Sequence, residues 1–112
     1  MNNYDYLATN LYRTSNSGIL STISQSNEGC PFGSFVTYIS ILDRSAYFYL
    51  SDIAEHTKNI KAQSKACLTI LGKKNNNTDQ QNNSRLSMMG NLLKIKEKEL
   101  ENCKKRFFAL LP

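Results

Sequence analysis

Apolar and polar residues change rhythm several times along this chain, and each change marks a boundary between elements. Tyr6, Leu7, Asn10 and Leu11 recur at helical spacing and predict a helix over 5–13. From residue 18 the rhythm becomes strand-like: GILSTIS at 18–24 and GCPFGSFVTYI at 29–39 read as two strands, and the polar stretch 25–29 between them predicts a hairpin. Asp43 and Arg44 turn the chain into a third run, 46–50, which is short, apolar and aromatic, as a buried strand should be.

A polar break follows, and then a helical stretch over 53–64, for which Asp52 is the natural N-cap and Glu55 its capping-box partner. Residues 66–71 are apolar between Lys65 and Gly72 and predict a buried fourth strand. Asparagine, glutamine and lysine dominate 73–84, which lacks core-forming content and predicts a loop. Strand alternation resumes over 85–95, with Gly90 marking a bulge or a close backbone approach. The last stretch, 96–111, places Leu100, Cys103, Phe107 and Leu111 on one helical face and ends in an apolar run.

At 112 residues the chain has room for one domain, taken as 1–112, large enough to fold without staples. Three cysteines, Cys30, Cys67 and Cys103, are an odd number without zinc spacing, and they read as small core-filling residues in a reducing compartment. The first 17 residues lack the apolar core of a signal peptide, and no apolar run is long enough to cross a bilayer. Those features predict a cytoplasmic protein without a membrane partner, in which the sequons at Asn76 and Asn82 are chance products of an Asn-rich loop. A net charge of +5 raises nucleic-acid binding, yet the lysines are dispersed and, near the end, interleaved with Glu97, Glu99 and Glu101. No nucleic-acid partner is expected from that pattern.

Candidate chemistry concentrates where the run 46–50 breaks into the following helix. Ser51, Thr57 and Lys58 bring hydroxyls and an ammonium to a helix start whose backbone N–H groups are themselves anion-seeking, a donor set that suits a phosphate. His56, the only histidine, sits among them as a ligand-contacting residue or a capping one. Tyr38, Tyr47 and Tyr49 read first as core aromatics.

GILSTIS, GCPFGSFVTYI, FYLSDIAEHTKNI, ACLTILG and RLSMMGNLLKI occur in the order and spacing of a known family. From residue 18 to the end, the chain resembles the pyridoxamine 5′-phosphate oxidase-like, FMN-binding split barrels, and its LS-x-x-A-x-HT-x-N turn is similar to their haem-utilisation branch. The resemblance implies a mainly β fold with flanking helices, a split β-barrel, carrying an FMN or haem site at the interface of a homodimer. It also implies a chain lacking the family's carboxy-terminal segment, where an aromatic-rich strand, the pyridoxal-recognising residues and, in the haem branch, a histidine ligand reside.

Carried over position by position, the family's flavin strand falls on Ser34, Phe35, Val36 and Tyr38, and its phosphate-gripping turn on Ser51, His56, Thr57 and Lys58. Where the oxidases have a phosphate-binding arginine this chain has Ser34, a weaker donor. The functional expectation is an FMN-dependent oxidoreductase of unknown substrate that is not itself a pyridoxamine 5′-phosphate oxidase. The alternatives are a haem-binding, haem-utilisation protein and a dimeric module without chemistry. No catalytic residue and no metal ligand set follows from the sequence.

Overall fold

The computed structural model describes residues 3–41, 45–72, 84–95 and 99–101. Helix α1 (Asn3–Thr14) leads into strands β1 (Ser17–Ile23) and β2 (Pro31–Thr37), then the short strands β3 (Ile39–Ser40) and β4 (Ala46–Tyr47). Helix α2 (Glu55–Ala62) and strands β5 (Lys65–Leu71) and β6 (Arg85–Asn91) complete the described elements with assigned bounds. The turn expected at Asp43 and Arg44 and nearly all of the loop expected over 73–84 lie outside the described residues, as does most of the expected terminal helix, of which 99–101 is helical.

Four strands form one antiparallel sheet in the order β2-β1-β5-β6, and β3 pairs with β4 in a second, two-stranded sheet. The register puts Ser34, Leu20, Leu68 and Met88 in one row across the inner face, and Phe35, Ile19, Thr69 and Ser87 in the neighbouring row on the outer face. Leu20, Val36, Leu68 and Ile70 are buried in the core with Tyr12 and Tyr38. Burying one such aliphatic side chain stabilises the fold by about 1.5–3 kcal/mol. Gly18 is required where β1 meets β5, because a Cβ there would stand 2.6 Å from the Thr69 carbonyl oxygen.

Two tyrosines fasten the helix and the second sheet to this core. The Tyr12 ring stacks on Tyr38 at 6.1 Å between centroids. The Tyr12 hydroxyl donates to the Ser45 carbonyl and accepts from the Ile41 N–H at 2.9 Å, which ties the segments beside β3 and β4 to the helix. In return the Tyr38 hydroxyl donates to the Tyr12 carbonyl at 2.8 Å.

The mainly antiparallel β fold with flanking helices matches the expected class, while several local expectations give way to tertiary packing. The expected strand 29–39 is cut after Thr37: the Tyr38 N–H still donates to Asn16 at 2.9 Å, in line with the β1–β2 register, but Ile39 leaves that sheet to pair with Tyr47 in the second one. The run 46–50 contributes only β4, and Tyr49 is exposed. Helix α1 buries Tyr12 while Tyr6 and Leu7 face outward, so its packed face is rotated from the one read in the sequence. Gly90 lies in unbroken register opposite Ala66 with open space around it, neither a bulge nor a close approach. Cys30 is exposed at the end of the hairpin and not in the core, and Cys67 is half-buried; both are free thiols.

Candidate functional site

The turn at 51–54 and the eight-residue helix α2 gather the polar chemistry of the described chain. Asp52 is not the cap: Ala54 occupies that position in extended conformation, without a side-chain cap bond. Residues 51–54 close a turn of their own, with the Ala54 N–H donating to Ser51 at 3.2 Å, and this postpones the helix start. Asp52 instead pairs with Lys61 at 3.8 Å in solvent, a contact worth little. Glu55 accepts a hydrogen bond from Ser26 of the hairpin turn rather than reaching back to a cap residue.

Donors expected to face a ligand are partly engaged within the protein. The Thr57 hydroxyl donates to the Ser51 carbonyl at 2.5 Å, and Thr57 is buried. Ser51 is exposed, its hydroxyl oxygen accepting weakly from the Ile53 N–H at 3.4 Å. Lys58 is exposed. His56 is half-buried, and its Nε2 is the buried side-chain nitrogen or oxygen without a hydrogen-bond partner among the described residues. An unpartnered buried polar atom costs free energy, which a hydrogen-bonding or coordinating ligand at that atom would offset.

On β2 the residues expected to line the ligand divide between two faces. Ser34 points to the inner face and is half-buried, whereas Phe35 is 71% exposed on the outer face. Val36 and Tyr38 are core side chains. Burial raises the Tyr38 phenol pKa to about 12, with the neighbouring Tyr12 adding to the shift and a hydrogen bond with Ser15 opposing it. Helix α2 packs on β1 and touches β2, so the turn and strand belong to one neighbourhood.

Asn59 was missing from the expected site, although it is fully buried and its amide is satisfied at both ends. Its Nδ2 donates to Thr22 Oγ1 at 3.0 Å, and its Oδ1 accepts the Gln25 N–H at 3.1 Å. The available signal was an asparagine inside a short helix, where it is a poor helix former and therefore points to a tertiary contact. A separate cavity of about 310 Å³ lies on the inner face of the sheet, lined by Leu20, Phe48, Leu68, Met88 and Leu92 among others. Its lining carries no ionisable side chain, so it offers packing surface and not the polar chemistry of the 51–59 segment. Among the described residues no group of three or more histidine, cysteine or acidic side chains could hold a metal ion.

The family described as CREG, beta-barrel, matches residues 2–110. The chain belongs to the CREG beta-barrel family. Its likeness to the chloroplastic heme oxygenase HOZ of Arabidopsis thaliana is 30% identity over 95 residues, covering 85% of this chain and 28% of the relative. A heme binding protein from Mycobacterium smegmatis superposes with TM-score 0.79 at 25% identity, over 94% of this chain and 42% of that one. HutZ, a heme storage protein from Vibrio cholerae, shares the fold with TM-score 0.69 at 12% identity, over 90% of this chain and 71% of that one. This CREG-family chain therefore spans less than half the length of the first two relatives. The split-barrel architecture implied by the sequence resemblance is borne out at the level of fold. Among the described residues no helix is long and apolar enough to cross a membrane.

Proposed function

We propose that this chain is a haem-binding split-barrel module, with His56 in contact with the ligand. The observation that carries the reading is the buried, unpartnered Nε2 of His56 beside a turn that lacks a phosphate grip. Thr57 donates its hydroxyl proton to Ser51, and Ser34 stands where the oxidases have an arginine, which leaves Lys58 as the cation in this segment for an FMN phosphate. His56 would be the residue of this segment to contact a haem, through its unpartnered Nε2, and the haem would supply the redox chemistry. The heme oxygenase and the heme binding protein to which the chain is similar support haem over FMN.

A homodimer belongs to the same proposal. Phe35, Ile19 and Met89 lie exposed on the outer face of the four-stranded sheet, and an apolar face of this kind is a candidate for cover by a second copy. The test is a pair of titrations of the purified protein, with hemin followed by its Soret band and with FMN followed by fluorescence. A saturable Soret shift that is lost in His56→Ala, without FMN quenching, is the expected result. Tight FMN binding without a Soret response would overturn the haem reading.

A further inference from the structure

From the network around α2 we infer that Asn59 is a positioning residue for His56, an inference that rests on the haem reading above. Helix α2 has eight residues and no side-chain N-cap, and a helix that short does not hold itself in water. What fixes it is a set of three links on residues flanking the imidazole. Glu55 is joined to Ser26, Thr57 to Ser51, and Asn59 to both Thr22 and Gln25. Two of these three lead to one hairpin.

That hairpin is a firm anchor. The Ser24 hydroxyl accepts the Asn27 N–H at 3.0 Å, and the Gly29 N–H donates to the Ser24 carbonyl at 3.0 Å. Gly29, at φ +82°, takes the left-handed conformation that lets the turn close. Asn59 therefore connects a rigid turn to the helix one turn after His56, on the same side of the helix by its i, i+3 spacing. A buried amide is costly unless both ends are satisfied, and an aliphatic residue would pack here without setting any register. Asn59 instead accepts only one placement of α2, and His56 is held in that placement while its Nε2 stays without a partner.

The single histidine of the sequence makes a direct test available in untagged protein, because its imidazole signals in a ¹H–¹⁵N NMR spectrum need no assignment. The variants are Asn59→Ala and, as one certain to leave the core intact, Ser26→Ala, which removes the exposed link to Glu55. Leu86→Ala, on β6 away from α2, serves as a control for general destabilisation. The expected result is a shift of the His56 imidazole resonances and an at least tenfold weaker hemin response in Asn59→Ala, with a smaller change of the same kind in Ser26→Ala. Leu86→Ala should leave the imidazole signals in place. Unmoved imidazole resonances in folded Asn59→Ala would overturn the inference, and so would unmoved resonances in Thr22→Val, which removes the hydroxyl that accepts the Asn59 amide, if Asn59→Ala fails to fold. If the parent protein gives no Soret response, the haem reading fails, while the imidazole spectra still decide whether Asn59 positions His56.

Discussion

Replacing Tyr38 by phenylalanine removes one hydroxyl from the centre of the core, and the consequence should depend on pH. The ring packing against Tyr12 and Phe48 survives the change, whereas the 2.8 Å bond to the Tyr12 carbonyl is lost. Near neutral pH the net loss is about 1–2 kcal/mol, since a buried carbonyl is left without its donor. The phenol pKa is raised from 10.0 to about 12 by burial, so the native state holds the proton more tightly than the unfolded chain does. The stabilising contribution of the protonated phenol is therefore complete below pH 10 and is lost as pH rises through about 12. At about pH 11 the unfolded chain has gained roughly 1.4 kcal/mol by ionising this group, which cancels most of the hydroxyl's advantage. Lysines and the other tyrosines are common to both proteins and drop out of the difference. Urea unfolding followed by far-ultraviolet circular dichroism, at intervals from about pH 8 to about pH 11, should show the gap between parent and Tyr38→Phe closing. A gap that stays constant over that range would refute the buried neutral phenol.

Gly18→Ala places a methyl 2.6 Å from the Thr69 carbonyl oxygen and should destabilise by about 1–3 kcal/mol, while Gly90→Ala meets open space and should be neutral or slightly stabilising; thermal melts of the two variants check the contrast. Leu68→Ala, in the buried inner row of the sheet, should cost about 2–5 kcal/mol in urea unfolding. Phe35→Asp, on the exposed outer face, should leave stability nearly unchanged and convert a dimer to a monomer in sedimentation at micromolar concentration. An unchanged sedimentation coefficient in Phe35→Asp would remove that face from the proposed interface.

The hairpin and the strands were legible because their signals are local: alternation over 18–24, a polar turn at 25–29 and apolar limits at 66–71. The break after Thr37 was not, because it depends on Ile39 crossing to a second sheet to pair with Tyr47, a partner that local alternation does not reveal. The cap of α2 misled for a similar reason. Asp52 and Glu55 have capping-box spacing, yet Ser26 of the hairpin takes Glu55, and the 51–54 turn moves the helix start past Asp52. The face of α1 was misread because Tyr6 was counted on it and Tyr12 was not, although Tyr12 fills the core and bonds to Ile41 and Ser45 across the second sheet. Of the candidate site, the cluster Ser51, His56, Thr57 and Lys58 could be read from the sequence because it is contiguous. Which of its donors remain available could not, since that is fixed by partners within the turn and across on the hairpin.

Strand β1 shows how one short segment serves both the core and the site. Its inward positions run Gly18, Leu20, Thr22, and continue past the strand end to Ser24. The glycine admits the β5 backbone, the leucine fills the core, and the threonine and serine give the far end a polar seat. On that seat Thr22 receives Asn59, and Ser24 stiffens the turn that receives Asn59 a second time through Gln25. The change from apolar to polar along one inner face thus converts a packed sheet into a mount for a marginal helix. Thr22 and Ser24 are nearly fully buried, so each hydroxyl is kept at the cost of removing it from water. A core selected for stability alone would carry valine at both positions, and would lose the directional bonds that fix where His56 stands.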